Sequence, residues 1–179
     1  MKYVVLGLLL LRPDTLYGLR KQFETSVSLF YRASFGSLTS ALKGLVGAGL
    51  IERRESSGEG RRKVVYSVTA SGRGVFLEWL GAIPDETDVE TGILARLFFL
   101  GLVDGDVRPG ILDRFSELYE AKAAQLAGIA GVIDSARIPA ELADILRFQR
   151  LVLEQGMTHY AGTGRWFADL AARERAAGG

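Results

Sequence analysis

Residues Ser34 to Ile51, SFGSLTSALKGLVGAGLI, constrain the chain most. Leu38, Ala41, Leu42, Leu45 and Val46 recur at the spacing of one helix face, while Ser37, Thr39, Ser40 and Lys43 fall on the opposite one. One face is built for a core; the other is small, polar and positive. Ser34 is placed to cap the first free N–H groups, and Gly47 and Gly49 lie where a left-handed residue would end the helix.

LIERRE, SSGEGRR and KVVYSV follow at once, two β-rich runs around a glycine- and arginine-bearing turn. This pattern predicts an antiparallel hairpin with Arg61 and Arg62 at its tip and Lys63 opening the return strand. A helix with a slim polar face beside a basic hairpin is the pattern of a winged helix-turn-helix. A helix that enters the DNA major groove needs short side chains where its backbone nears the base edges.

The chain has 179 residues, 48% of them hydrophobic, enough for one or two cores. Its net charge of +1 conceals an asymmetry: residues 1–82 hold twelve Lys and Arg against six Asp and Glu, and residues 83–179 hold ten against fifteen. A basic first half and an acidic second half imply that only the first meets a polyanion. There is no cysteine, which excludes disulfides, thiolate metal sites and cysteine nucleophiles and fits a reducing cytoplasm. His159 is the one histidine, so a histidine metal cluster or a Ser-His-Asp triad cannot be assembled within one chain. GEGRRK lacks the spacing of a phosphate-binding loop. Neither an enzyme nor a cofactor is indicated.

Tyr3 to Leu11 is apolar but too short to span a bilayer, and no membrane association is expected. A helix apolar all round must be covered on every side, and the expected cover is the C-terminal half, its own or a partner's. Asp14 and Thr15 cap a second short helix running to Thr25, with Tyr17 near its exposed start. Phe30 and Tyr31 in the following connection are expected to pack between helices. Thr69 opens a helix to about Leu80 carrying Val75, Phe76 and Trp79. GAIPDETD then reads as a linker. The expected organisation is a winged-helix DNA-binding domain over 1–82, a linker over 83–88 and a helical dimerisation domain over 89–179. The fold class is mainly α with a small β-hairpin.

In the second half, Ile93, Leu97 and Phe98 mark one amphipathic helix. A longer one follows Pro109, with coiled-coil-like spacing in which Lys122 is the one polar member. From Pro139 to about Arg173 the patterning stays helical over roughly 50 Å. Gly156, Gly162 and Gly164 either permit close helix approach or break this helix. Phe148, Leu151, Met157 and Trp166 lie beyond a single stripe, and pairing with a second chain is the economical cover, giving a twofold homodimer. Tyr3, Phe98, Phe148, Tyr160 and Trp166 are candidates to line a cleft for a small-molecule effector.

These residues resemble the PadR-like family of bacterial transcriptional regulators. The likeness is carried by VVLGLLL, Tyr17, Ala33-Ser34-Phe35-Gly36, Ala41-Leu42 and Gly49-Leu50-Ile51, and by the run Gly60 to Thr69 with Gly72-Arg73. ARLFFLG and Trp166 look like the helical C-terminal domain found in part of that family. The resemblance implies a dimeric, repressor-type regulator that binds an inverted-repeat operator in double-stranded DNA and, in some members, answers to aromatic or amphipathic inducers. Thr39 and Ser40 depart from the usual Tyr and Pro, and Leu16 from the usual glycine. The first departure bears on operator sequence rather than on fold. The competing assignment is a winged helix used as a protein-interaction module.

Overall fold

A computed structural model describes residues 1–31, 34–56, 63–84, 89–137 and 139–178. It divides into two compact units, Met1–Leu102 and Val103–Gly179.

The first unit opens with α1 (Lys2–Leu11) and α2 (Leu16–Thr25), followed by a single 3-10 turn at Val27–Leu29 and α3 (Phe35–Gly47). The hairpin β1 (Ile51–Ser56) and β2 (Lys63–Val68) comes next, then α4 (Ala70–Gly81), α5 (Val89–Phe98) and a closing 3-10 turn at Leu100–Leu102. The strands pair antiparallel with Ile51 opposite Val68 and Arg53 opposite Tyr66. On its other edge β2 is met by the α1–α2 connection: the Tyr66 N–H donates to the Asp14 carbonyl at 2.8 Å, and the Asp14 N–H to the Tyr66 carbonyl at 3.1 Å. That rung satisfies edge groups which would otherwise be open to pairing with another chain.

The core of this unit is the apolar faces of α1, α2 and α3 closed by α4 and the end of α5. Val4, Val5, Leu6, Leu8 and Leu9 are buried beside Leu19, Leu38, Leu42, Leu45, Ile51, Phe76, Leu80 and Phe99. Removing each such side chain from water contributes on the order of 1.5–3 kcal/mol. Of the two glycines placed to end α3, Gly47 stays helical as its last residue and Gly49 makes the left-handed turn. Gly49 has φ +67°, its N–H donates to Val46 O at 3.0 Å and that of Leu50 to Leu45 O at 3.0 Å, so both orphan carbonyls are satisfied. Gly49→Ala, forced into the left-handed region with a Cβ, should lose about 1–2 kcal/mol, readable as a fall in the urea midpoint without change of slope.

Three expectations change here. The cover of α1 lies within the first unit of a single protomer: Tyr3 stacks on Trp79 of α4 (centroids 4.8 Å apart), and a Cβ on Gly7 would meet the Phe99 ring at 2.7 Å. Secondly, α5, expected with the C-terminal domain, belongs to the first unit, because its buried Ile93 and the following Phe99 need that core. The compositional break at 83–88 therefore falls inside a compact unit; residues 85–88 themselves lie outside the described residues. Thirdly, Phe98 is 41% exposed and rests against Phe30 (5.5 Å), while Phe99, one position on, is the core residue. Helical periodicity is lost at the end of α5, where the chain passes into the 3-10 turn.

The second unit is an antiparallel pair of long helices, α6 (Arg108–Ser135) and α7 (Ala143–Gly178). α7 has 36 residues, about 54 Å, and is continuous through Gly162 and Gly164. Gly164 lets α6 approach: the Ser116 hydroxyl donates to its carbonyl at 2.9 Å, and an added Cβ would sit 3.4 Å from Ser116 O. At Gly156 a Cβ would strike Leu126 at 2.6 Å. Phe115, Tyr119 and Phe167 form the buried centre, and Lys122, the polar member of the stripe, lies over the Tyr160 ring at 5.7 Å. Ion pairs Arg108–Glu174 (3.3 Å) and Arg150–Asp134 (2.9 Å) fix the register along the pair.

Candidate nucleic-acid interface

α3 is set up by its own first turn. The Ser34 hydroxyl accepts from the Ser37 N–H at 3.1 Å, and the Ser37 hydroxyl accepts from the Ser34 N–H at 3.0 Å, a reciprocal cap on two otherwise unpaired donors. Both hydroxyls are engaged in building the helix start. Lys43 and Ser40 are exposed on the outer face, and Thr39 is half-buried beside them.

Two adjoining grooves flank this face, sharing Leu16 and Tyr66 as their common wall. The larger, about 930 Å³, lies between the start of α2 and β2 and is lined by Asp14, Tyr17, Gly18, Arg20, Lys63 and Val64 among others. Tyr17 is 77% exposed, as its sequence position implied. The Thr15 hydroxyl accepts from the Gly18 N–H at 3.1 Å and so caps α2 at the groove edge. Asp14 puts a carboxylate here, but it is occupied, accepting from the Thr15 N–H at 2.8 Å and from Gln22 Nε2 at 2.7 Å. Arg20 donates to Glu24 at 2.7 Å, and that hydrogen bond and charge push its guanidinium pKa further up, so it stays cationic at any working pH.

The second groove, about 360 Å³, runs between α3 and the hairpin, with Leu42, Val46 and Tyr66 as an apolar floor and Thr39, Lys43 and Arg53 as polar lining. Of the predicted site residues, the structure thus brings Thr39 and Lys43 together on one groove, and Tyr17 and Lys63 on its neighbour. Arg61 and Arg62 lie outside the described residues.

Arg20 and Arg53 were missed by reading the sequence alone. A signal for Arg53 exists: Ile51 is the buried anchor of β1, and a residue two positions on must share its face. A third arginine, Arg96, is only 5% exposed on α5; its Nε donates to the Trp79 carbonyl at 3.0 Å, its Nη1 to Gly92 O at 2.9 Å, and its guanidinium lies 4.5 Å from the Trp79 ring centroid. It ties the C-terminal end of α4 to α5 and is structural rather than open to a ligand.

The aromatic residues considered for an effector are not gathered in one place. Tyr3 and Phe98 belong to the first unit. Phe148, Tyr160 and Trp166 are on α7, and Phe148 and Trp166 are about 27 Å apart along its axis. Among the described residues no group of His, Asp and Glu is placed to hold a metal ion, and no helix is long and apolar enough to cross a membrane.

Comparison with known proteins gives a consistent picture for the first unit. The model of the transcriptional regulator PadR-like family matches residues 5–78. No curated protein matches the chain. Among solved structures, Bacillus subtilis PadR in complex with operator DNA is 21% identical, with 95% of this chain and 97% of that one covered and a TM-score of 0.44. The same protein in complex with p-coumaric acid is 20% identical over 97% and 94%, with a TM-score of 0.42. The Vibrio cholerae virulence activator AphA is 23% identical over 98% of each chain, with a TM-score of 0.41. These whole-chain superpositions are loose, and the assignment rests on the matched segment together with the capped helix, hairpin and closing helix that it contains. Over residues 5–78, from α1 into α4, the chain is similar to the PadR-like family of transcriptional regulators.

Proposed function

We propose that the protein is a sequence-specific regulator, acting as a repressor, that binds an inverted repeat in duplex DNA as a homodimer. The observation that carries this is the outer face of α3: a capped helix presenting Ser40 and Lys43, flanked by grooves whose exposed cations are Arg20, Lys63 and Arg53, in a segment of a regulator family. In this reading α3 enters the major groove, Lys43 reaches base edges, and Tyr17, Lys63, Arg61 and Arg62 contact the backbone. Dimerisation is assigned to α6 and α7. α7 leaves Ile145, Phe148, Leu151 and Val152 exposed, an apolar stripe at helical spacing. Relief by a small aromatic or amphipathic ligand would require binding that discriminates between DNA-competent and incompetent arrangements of the two binding units.

Titrating duplexes with purified protein at several salt concentrations tests the reading. Lys43→Ala should narrow the preference for operator over random DNA, a loss of about 1–3 kcal/mol on the specific site. Arg61→Ala with Arg62→Ala should weaken all duplexes alike and lower the salt slope by about one per lost phosphate contact. A protein that binds no duplex even at low salt would instead be an interaction module.

A further inference from the structure

Arg53 is a groove cation to which the functional reading so far assigns no contact. It stands opposite Tyr66 in the hairpin, so the two side chains share the face turned towards α3, and it lines the smaller groove with Thr39 and Lys43. The groove floor is apolar, its rim carries two cations on two different elements, and it opens beside the outer face of α3. An apolar floor with a cationic rim suits a deoxyribose and its phosphodiester, because the sugar presents C–H surface and the phosphate a localised charge. Glu55, two residues on and on the same face, holds the Arg53 guanidinium at 3.4 Å, with Arg53 55% and Glu55 54% exposed. An ion pair this long and this exposed is weak, so a phosphate can displace the carboxylate at little cost.

We propose that Arg53 grips one backbone phosphate of the strand lying between α3 and the hairpin, next to the bases that Lys43 reaches, and that Glu55 competes for Arg53 and thereby sets the affinity. This rests on the protein being a duplex-DNA binder and adds to that reading a contact and a counterweight. Glu55 thereby holds down the sequence-independent part of binding, on operator and random DNA alike.

The test is a salt titration of full-length protein on operator and random duplexes with four variants. Arg53→Gln should weaken both duplexes about 5- to 10-fold near 0.1 M salt and lower the salt slope by about one. Glu55→Gln should strengthen both about 3-fold, and random DNA at least as much as operator. The double variant Arg53→Gln/Glu55→Gln should match Arg53→Gln alone, because the effect of Glu55 runs through Arg53. Glu78→Gln on α4, also an exposed acid, makes the same change in net charge and should do much less than Glu55→Gln. All three positions are exposed, and far-UV circular dichroism confirms the fold. An unchanged slope in Arg53→Gln, or equal gains from Glu55→Gln and Glu78→Gln, would overturn the proposal while leaving DNA binding intact. A wild type that binds no duplex would overturn the functional reading and this with it.

Discussion

Phe148→Glu combined with Val152→Glu should convert the protein from dimer to monomer at micromolar concentration and lower operator affinity by about 10²-fold or more. Phe148 is 59% and Val152 70% exposed, one helical turn apart on α7, with Ile145 completing the stripe. In a twofold interface each substitution is present on both sides, so four carboxylates would replace apolar contacts. Two linked DNA-binding units gain their avidity from the intramolecular second contact, which a monomer lacks. Light scattering and operator titration on the same samples check both halves. Because α1 is covered within its own unit, the first unit should stay folded in this variant. An unchanged molar mass would move the dimer contact elsewhere.

Gly72→Ala should produce the largest loss of stability from a single methyl group. A Cβ there would lie 2.0 Å from the Leu50 carbonyl oxygen, a backbone atom that cannot turn aside. That oxygen accepts from the Thr69 N–H at 3.1 Å, and the Thr69 hydroxyl donates to Gly49 O at 2.8 Å while accepting from the Gly72 N–H at 3.1 Å. The end of α3, the entry to β1 and the cap of α4 therefore meet at one knot. Separating them by the ångström or more that a methyl needs should cost about 3 kcal/mol. It should also tilt α3 against the hairpin, so operator affinity should fall in step with the melting temperature. Thermal unfolding and DNA binding of the same variant measure both; retention of full stability would show that α4 can slide freely.

Much of the first unit was legible because its signals are local. The Ser34 and Thr69 caps, the left-handed Gly49 and the β-rich run KVVYSV each specify a structure from a few neighbouring residues. What could not be read depends on distant partners. α1 is apolar all round, which says that it must be covered but not by what; Trp79, Phe76 and Phe99 supply that cover. The place of α5 was hidden because an acidic, proline-bearing loop looks the same inside a unit as between two. Phe98 and Phe99 are adjacent aromatic residues, and only the geometry of a fraying helix end decides which is buried. Burial of Arg96 depends on the Trp79 carbonyl at the end of α4, which accepts from it as well as from the Ala82 N–H, and no pattern in the sequence announces that. For the interface, Thr39 and Lys43 were readable from helical period, whereas the reciprocal part of Ser37 in the cap, and the alignment of Arg53 with Lys43 across two elements, emerged only with the fold. The glycines of α7 were ambiguous for a similar reason: Gly156 and Gly164 face α6, but their spacing alone fits a break equally well.

The central claim is that a basic, capped α3 with its flanking hairpin meets duplex DNA as part of a dimer. It is tested most directly by asking whether the full-length protein protects an inverted repeat in the DNA upstream of its own gene, with the binding constant followed from about 50 to 200 mM salt. A dimer neutralising about six to ten phosphates should protect both half-sites and lose about 10³- to 10⁵-fold in affinity over that range. Failure to bind any duplex at 50 mM, or binding that is indifferent to salt, would contradict it.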